Sequence, residues 1–319
     1  MNDKASETEE KTNVPDIKND GDVPTAANKT SAGGRGGIGS ALKGMVSFFT
    51  MIRLNVGETE FDAMERNFWL VPLIGALNGL VTVVVCLILS LCGASVVVQA
   101  VCALATAFLF SKFLHLDGLT DFGDGMIVSS GKREDHIRAL KDSLIGAGGF
   151  GVALIVILIS FACYAEVGGL VQVSIDGMDY RYFGLVPVVF SLEVLIKNAQ
   201  VAAAAFGEPG NGMAARQVSC TGRSSLIKST LLTAVLVLIS SLVGVAISNG
   251  AEYSYMEFDA LAFVIYYVLA LLISIVVGWA MARTANKTFG FVNGDILGAT
   301  NEISRAVILL SFVIILGVF

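Results

Sequence analysis

Long apolar runs separated by short polar stretches dominate the chain from about residue 68 onwards. Each run is long enough, or nearly so, to cross the ~30 Å hydrocarbon core of a bilayer as an α-helix. Backbone N–H and C=O groups find no water within the lipid, so such runs must be helices rather than separate strands. The pattern predicts an all-α membrane protein with about seven transmembrane helices. They are expected at about 68–91, 94–114, 147–168, 183–206, 226–248, 259–281 and 303–319.

The start of the chain has the opposite character. Residues 1–38 are polar, rich in Gly, Asn, Asp and Lys, with almost no large apolar side chains. Such a segment cannot bury enough surface to offset the cost of ordering it, so we expect a disordered tail. Residues 39–319 would then form a polytopic membrane catalytic domain. An amphipathic stretch at 41–54 opens it, with Phe48 and Phe49 on an apolar face that suits the membrane interface.

The distribution of charge indicates how the helices are oriented. Hydrophobic residues make up 55% of the chain and charged residues only 15%, against about 25% charged in soluble domains. The net charge of −6 matters less than where each sign falls. If the N-terminus is cytoplasmic, all of the 21 Lys and Arg residues except Arg181 fall on the cytoplasmic side. This asymmetry predicts a multi-pass protein of the cell membrane with its N-terminus in the cytoplasm and its C-terminus outside.

The densest polar motif comes directly after the second apolar run. Asp117, Asp121 and Asp124 are spaced i, i+4, i+7, so on a helix their carboxylates share one face. Neighbouring carboxylates repel one another, and oxygen ligands suit a hard cation, so we expect them to bind Mg²⁺. Gly118 would let phosphate or backbone approach closely. His115 is either a donor to this site or a packing residue.

Three further polar clusters fall on the predicted cytoplasmic side. They are Lys141 with Asp142, Lys197 with Asn198, and, just before the seventh span, Gly294 and Asp295 with Asn301 and Glu302. Lys141 suits phosphate oxygens. Lys197 and Asn198 either contribute to the site or form hydrogen bonds between helices. Asp295 and Glu302 share one helical face, and one of them is expected to complete the metal site from across the bundle.

In this order, the motifs resemble those of the cobalamin synthase family, also called adenosylcobinamide-GDP ribazoletransferase. His115-Leu-Asp-Gly-Leu-Thr-Asp-Phe-Gly-Asp124 is similar to the family's FHLDGLAD…D signature. The family pattern KDSRIGxxG is similar to Lys141-Asp-Ser-Leu-Ile-Gly-Ala-Gly-Gly149. The pattern TGDxxGAxxE is similar to Asn293-Gly-Asp-Ile-Leu-Gly-Ala-Thr-Asn-Glu302. Two family patterns also have counterparts upstream. FLTRLP resembles Phe48-Phe-Thr-Met-Ile-Arg53-Leu, and R…FPLVG resembles Arg66-Asn-Phe-Trp-Leu-Val-Pro-Leu-Ile-Gly75.

The resemblance implies a reaction and its participants. Adenosylcobinamide-GDP and α-ribazole, or its 5′-phosphate, would join with release of GMP in the last steps of cobalamin assembly, with Mg²⁺ as cofactor. The expected catalytic residues are Asp117, Asp121, Asp124, Lys141 and Asp142, and the expected metal ligands are the three aspartates with Asp295 and Glu302. The expected substrate-binding residues are Arg53, Arg66, His115, Gly118, Lys197, Asn198, Gly294 and Asn301. The site would face the cytoplasm in a protein that contacts lipid, binds no nucleic acid and can form a homo-oligomer.

Two other functions share part of this pattern. A CDP-alcohol phosphotransferase has the aspartate motif DGxxAR…G…D…D, but no Ala-Arg follows the Asp-Gly pair here. A secondary transporter would carry charges inside its spans and show internal repeats. Here no repeat is evident, and we expect the charges at one face. Release of GMP rather than CMP from a nucleotide-activated substrate separates the two enzymes.

Overall fold

The computed structural model describes residues 36–170, 172–175, 178–181, 185–249, 253–254 and 260–316. The predicted disordered tail therefore lies, apart from its last residues, outside the described part of the chain. The helices are α1 (Ile38–Phe49), α2 (Glu58–Arg66), α3 (Pro72–Leu91), α4 (Val96–Phe110), α5 (Leu114–Ile127), α6 (Arg133–Leu140), α7 (Ala147–Leu170), α8 (Leu185–Phe206), α9 (Met213–Cys220), α10 (Arg223–Asn249), α11 (Ala260–Thr288) and α12 (Gly294–Leu316), with a 3-10 turn at Phe68–Leu70. The strands are β1 (Gln172–Ile175), β2 (Met178–Arg181) and β3 (Tyr253–Ser254).

The transmembrane helices follow the apolar runs. Within the described residues, 6 helices are long and apolar enough to cross a membrane, namely α3, α7, α8, α10, α11 and α12. A bent pair, α4 and α5, adds a seventh span if the two are counted together. Their axes differ by 91°, and the break falls at Lys112 and Phe113, both in the left-handed region with φ of 56° and 57°. The prediction of an all-α membrane protein with about seven spans is confirmed.

Two predicted boundaries are wrong. The last span begins at Gly294 rather than at 303, so the acidic motif forms the first turns of α12. Asn293 explains this start, because its side-chain oxygen accepts a hydrogen bond from the N–H of Ile296 at 3.2 Å, as a helix cap does. The amphipathic α1 ends at Phe49, and both Met45 and Phe49 are buried in the protein rather than facing lipid.

A small sheet fixes which ends of the helices lie together. β1 pairs antiparallel with β2 and with β3, so the connection between α7 and α8 lies beside the connection between α10 and α11. Chain direction then places the starts of α7, α10 and α12 at the opposite end of the bundle. We call this opposite end, which also carries α2, α5, α6 and α9, the motif end. The strands were not predicted, because none is longer than 4 residues.

The central helix of the bundle is α8, which packs against α3, α10, α11 and α12. In the most apolar stretch of α8, 89% of the residues are buried. Small residues allow this packing, as is common between helices in membranes. A Cβ added at Gly75 of α3 would overlap the backbone of Glu193, and one at Gly278 of α11 would overlap that of Ala199. The polar side chains of α8 are therefore held between helices and away from lipid.

Candidate active site

The three aspartates of the first motif all lie on α5, as their spacing predicts. The Asp124 carboxylate accepts hydrogen bonds from the backbone N–H groups of Gly146 and Gly149, each at 2.7 Å. These N–H groups belong to the start of α7, where helical amides lack partners within their own helix. Asp124 therefore caps α7 and holds α5 against it. Each of its oxygens keeps a second lone pair for another partner.

The other two aspartates meet the second acidic motif where α5 crosses α12. A Cβ added at Gly118 would lie 2.6 Å from the backbone oxygen of Asp295, so the two helices touch through the glycine. Asp121 interacts electrostatically with Asp295, Asp117 and Asp124. Lys141 interacts electrostatically with Asp295. The structure thus brings together the two acidic motifs, which are far apart in sequence, within electrostatic reach of Lys141.

A cavity of about 460 Å³ lies beside these acidic residues at the motif end. Asp117, Asp295, His115 and Gln200 line it, together with Gly294, the first residue of α12. The other walls come from α1, α2 and α9. Its size lies within the ~300–1,000 Å³ range of small-molecule sites.

His115 joins the cavity to the interior of the bundle. It is buried and stacks on Phe49, with 6.1 Å between the ring centroids. The Lys197 Nζ atom lies 2.6 Å from His115 Nε2 and 2.8 Å from Asn301 Oδ1. An ammonium group only donates, so Nε2 acts as an acceptor here. Lys197 and Asn301 therefore support His115 from inside the bundle.

A chain of charged groups continues from Asn301 into the membrane-spanning core. Asn301 Nδ2 donates to Glu302 Oε1 at 2.8 Å, and Arg305 Nε donates to Glu302 Oε2 at 3.0 Å. Arg305 also pairs with Glu193, which in turn accepts a 2.7 Å hydrogen bond from Asn78 Nδ2. Both carboxylate oxygens of Glu302 are thus engaged away from the aspartates. The charges of this network are balanced, because the carboxylates Glu193 and Glu302 are matched by the basic side chains Arg305 and Lys197. A buried ionic network needs such a balance.

The sequence prediction missed Glu193 and Arg305. It expected the charges at one face, and the structure corrects this by placing these two residues inside α8 and α12, 0% and 1% exposed. The signal was available, because an ionisable residue within an apolar span is costly and seldom lacks a role.

Asn198 lies outside the cavity. Its Nδ2 donates to Ser274 Oγ at 3.0 Å, and its Oδ1 accepts from Ser229 Oγ at 2.8 Å. These bonds tie α8 to α10 and α11. The sequence left two roles open for Asn198, and the structure shows that it forms hydrogen bonds between helices.

Three other predicted residues lie at the surface of the motif end. Arg66 pairs with Asp62 on its own helix. Asp142 accepts a hydrogen bond from the N–H of Leu144 at 3.0 Å and so stabilises the turn after α6. Arg53 is exposed. None of these contacts joins the residues to the aspartates, and their predicted roles in substrate binding and catalysis remain predictions.

The aspartates suit Mg²⁺ only in part. Among the residues that the structure describes, no three His, Cys, Asp or Glu side chains are close enough together to hold a metal ion. The donors at the α5–α12 crossing are nevertheless all hard oxygens. Mg²⁺ usually keeps several waters and takes one or two carboxylates plus substrate phosphates. The chemistry therefore fits a Mg²⁺ ion that arrives with a phosphorylated substrate rather than a preformed protein cage.

A helical bundle with an acid-lined cavity at one end defines a multi-pass membrane protein with a candidate active site. The sequence profile of cobalamin-5-phosphate synthase matches residues 41–313. The chain belongs to this family.

Its relatives cover nearly the whole of the described chain. Over 272 residues it is 29% identical to the adenosylcobinamide-GDP ribazoletransferase of Methanocella arvoryzae, a match that spans 85% of this chain and 94% of that protein. The protein of the same name from Halorubrum lacusprofundi is 29% identical over 83% of this chain and 93% of its own length. The one from Prosthecochloris aestuarii is 27% identical over 86% and 99%. No solved structure matches the chain.

Proposed function

We propose that this membrane enzyme is an adenosylcobinamide-GDP ribazoletransferase, which joins adenosylcobinamide-GDP to α-ribazole, or its 5′-phosphate, and releases GMP. The observation that carries the proposal is the meeting of two distant motifs at one cavity. Asp117 and Asp121 come from α5 and Asp295 from α12, in contact through Gly118. The family is named cobalamin-5-phosphate synthase, and the relatives are named adenosylcobinamide-GDP ribazoletransferase.

In this reaction, a ribose hydroxyl of α-ribazole attacks the phosphorus that carries the corrinoid. A new P–O bond forms to the ribose oxygen, and the P–O bond to the GMP half breaks, so GMP leaves with the bridging oxygen. Such transfers depend mainly on positioning and on neutralising charge. Asp117 and Asp295 line the cavity and are placed to accept the hydroxyl proton. Lys141, which interacts electrostatically with Asp295, would contact phosphate oxygens.

Mg²⁺ is the cofactor that the donor set suits, and one or two of Asp117, Asp121 and Asp295 would hold it together with substrate phosphates. When bound, it neutralises negative charge on the pyrophosphate oxygens. Asp124 contributes by holding α5 against the start of α7. Lys197, through His115, keeps the floor of the cavity in place.

We place the site at the cytoplasmic face. The motif end carries basic residues on connections and at helix ends, among them Lys112, Lys132, Arg223 and Lys287. Arg181, at the end of β2, lies at the other end of the bundle. The positive-inside rule supports a motif end in the cytoplasm, where both substrates can reach it without crossing the membrane.

A turnover assay tests the function. Purified full-length protein in lipid nanodiscs would receive Mg²⁺, adenosylcobinamide-GDP and α-ribazole, and we expect cobalamin and GMP in equal amounts by chromatography. A second sample would receive a CDP-activated alcohol and its lipid acceptor instead. Release of CMP there, or no turnover in the first sample by correctly inserted protein, would overturn the proposal.

A further inference from the structure

One wall of the cavity is aromatic and plays no part in the phosphoryl chemistry. It consists of Phe48, Phe49, Phe61 and Phe68, together with Met64. The ring of Phe48 meets Phe49 edge to face, with 4.9 Å between centroids, and Phe61 at 6.4 Å. Such walls contact planar rings well, because aromatic pairs gain from offset and edge-to-face packing. The wall therefore favours a guest with a flat aromatic part.

One residue that lines the cavity has a buried polar atom that lacks a partner. Gln200 is 1% exposed, and its Nε2 donates to the backbone oxygen of Leu297 at 2.9 Å, which fixes the orientation of the amide. Within the described part of the chain, nothing donates a hydrogen bond to Gln200 Oε1. A buried acceptor without a partner costs stability. Since Gln200 lines the cavity, a ligand that donates a hydrogen bond would satisfy this atom.

The charge of the lining narrows the class of guest. The cavity is lined by the carboxylates Glu65, Asp117 and Asp295, whereas no Lys or Arg is among the described residues that line it. An anionic group would be repelled within it unless a cation accompanied it. An uncharged guest with hydroxyl donors suits both the carboxylates and Gln200.

We propose that this cavity binds the base and ribose of the acceptor, α-ribazole, and so provides the acceptor subsite of the proposed function, on which the inference rests. The benzimidazole ring lies against the aromatic wall, and a ribose hydroxyl donates to Gln200 Oε1. The ribose then lies beside Asp117 and Asp295, where its reacting hydroxyl is needed.

The other two candidate guests fit less well. A corrinoid is several times larger than a nucleoside and does not fit a cavity of about 460 Å³. Guanine, from the donor, presents several N–H groups and a carbonyl along its edge that need polar partners, whereas the side chains of the aromatic wall are Phe and Met. The edge of a benzimidazole is mostly C–H and methyl groups, which such a wall accommodates.

A matched pair of alanine variants tests the assignment. Ala214 of α9 lines the cavity, whereas its neighbour Ala215 does not. Ala214→Leu should fill part of the cavity and raise KM for α-ribazole about tenfold or more, with KM for adenosylcobinamide-GDP within about twofold of wild type. Ala215→Leu should leave both constants unchanged. If Ala214→Leu fails to fold, Phe61→Ala replaces it, because Phe61 is 37% exposed and its removal leaves the core intact.

Gln200→Met supplies an independent measurement. It removes the acceptor atom at nearly constant volume, so α-ribazole should bind at least about fivefold more weakly by calorimetry, with GMP binding unchanged. A rise in KM for the GDP substrate instead would assign the cavity to guanine and overturn the proposal. Unchanged constants in the Ala214 and Gln200 variants would also overturn it. If the wild-type protein turns over no adenosylcobinamide-GDP, the proposed function itself fails, and the two outcomes are thereby distinguished.

Discussion

Asp121 lies among carboxylates of two helices, with Asp117 on its own helix and Asp295 on α12. Their repulsion is relieved when a cation binds. Asp121→Asn should therefore lower kcat by about 10²-fold, as the loss of one electrostatic contact to a transition state does. It should also raise the Mg²⁺ concentration needed for half-maximal rate. Activity measured against Mg²⁺ concentration for both proteins checks this.

Asp135→Asn is the matched control for that experiment. Asp135 lies on α6 at the protein surface, where it accepts a hydrogen bond from Ser130. Its replacement should leave both the rate and the metal midpoint close to wild type. An Asp121→Asn variant with full rate and an unchanged midpoint would show that Asp121 is not a metal ligand.

The buried ion pair of Arg305 and Glu193 makes a separate prediction about stability. Arg305→Met leaves Glu193 and Glu302 facing each other without their shared cation, and should cost about 3–5 kcal/mol of unfolding free energy. The double variant Glu193→Gln with Arg305→Met restores the charge balance and should recover part of that loss. Unfolding in detergent micelles measures both. A double variant no more stable than the single one would contradict the argument.

Arg138→Met provides the comparison for a pair at the surface. Arg138 meets Asp135 at 3.8 Å and is largely exposed. Its loss should change the unfolding free energy by less than about 1 kcal/mol, because exposed pairs contribute little.

At the residue scale, the spacing of residues along a helix predicted more of the site than their chemical type did. Asp117 and Asp121 could be placed on one face, because helical periodicity is a local property. The partner of Arg305 could not be predicted, since Glu193 lies on α8 and the pairing depends on how α12 packs against that helix. Gln200 could not be assigned to a cavity, because its unpaired oxygen is visible only once Leu297 is seen to hold the amide.

At the scale of elements, the contact of α5 with α7 depends on Gly149. A Cβ added there would lie 2.5 Å from a carboxylate oxygen of Asp124 and closer still to the carbonyl of Thr120. On the same helix, a Cβ added at Gly151 would meet nothing within 4 Å. Gly149→Ala should therefore push α5 away, with a cost of about 1–3 kcal/mol and a lower kcat.

Gly151→Ala should have the opposite effect on stability. Alanine restricts the unfolded chain without a clash in the helix, so a gain of about 0.5–1 kcal/mol is expected. Unfolding and turnover of the two variants, compared side by side, test the α5–α7 contact. Equal stability and equal rates would show that the contact does not position the aspartates.

The helices were predictable from the sequence, and the breaks between them were less so. Apolar runs indicate spans because lipid leaves the backbone no alternative. The bend between α4 and α5 depends on left-handed backbone at Lys112 and Phe113, which have no glycine to signal it. Likewise, the start of α12 cannot be recognised from the apolar pattern, because its first turns carry Gly, Asp and Asn among their residues.

At the scale of the whole molecule, the sheet and the acidic motifs define opposite ends. Pairing of Ser174 with Tyr253 joins the two connections at one end, and the crossing of α5 with α12 lies at the other. This arrangement follows because one span, α7, separates α5 from β1, and one span, α11, separates β3 from α12. It leaves one question open to experiment, namely which end faces the cytoplasm.

Labelling with a membrane-impermeant thiol reagent answers that question. Ser129 is exposed in the connection after α5, and Asn249 is the last residue of α10, at the end that carries the sheet. Both would be changed singly to cysteine in a protein whose exposed Cys92 and Cys220 are replaced by serine. We expect Ser129→Cys to react only in inverted membranes and Asn249→Cys only in intact cells, because positive charge retains the motif end in the cytoplasm. Adenosylcobinamide-GDP added to sealed inverted vesicles should then be turned over, whereas right-side-out vesicles should leave it unchanged. Labelling of both positions from the same side would show that the number of spans between them is wrong, and reaction of Ser129→Cys in intact cells would place the active site outside.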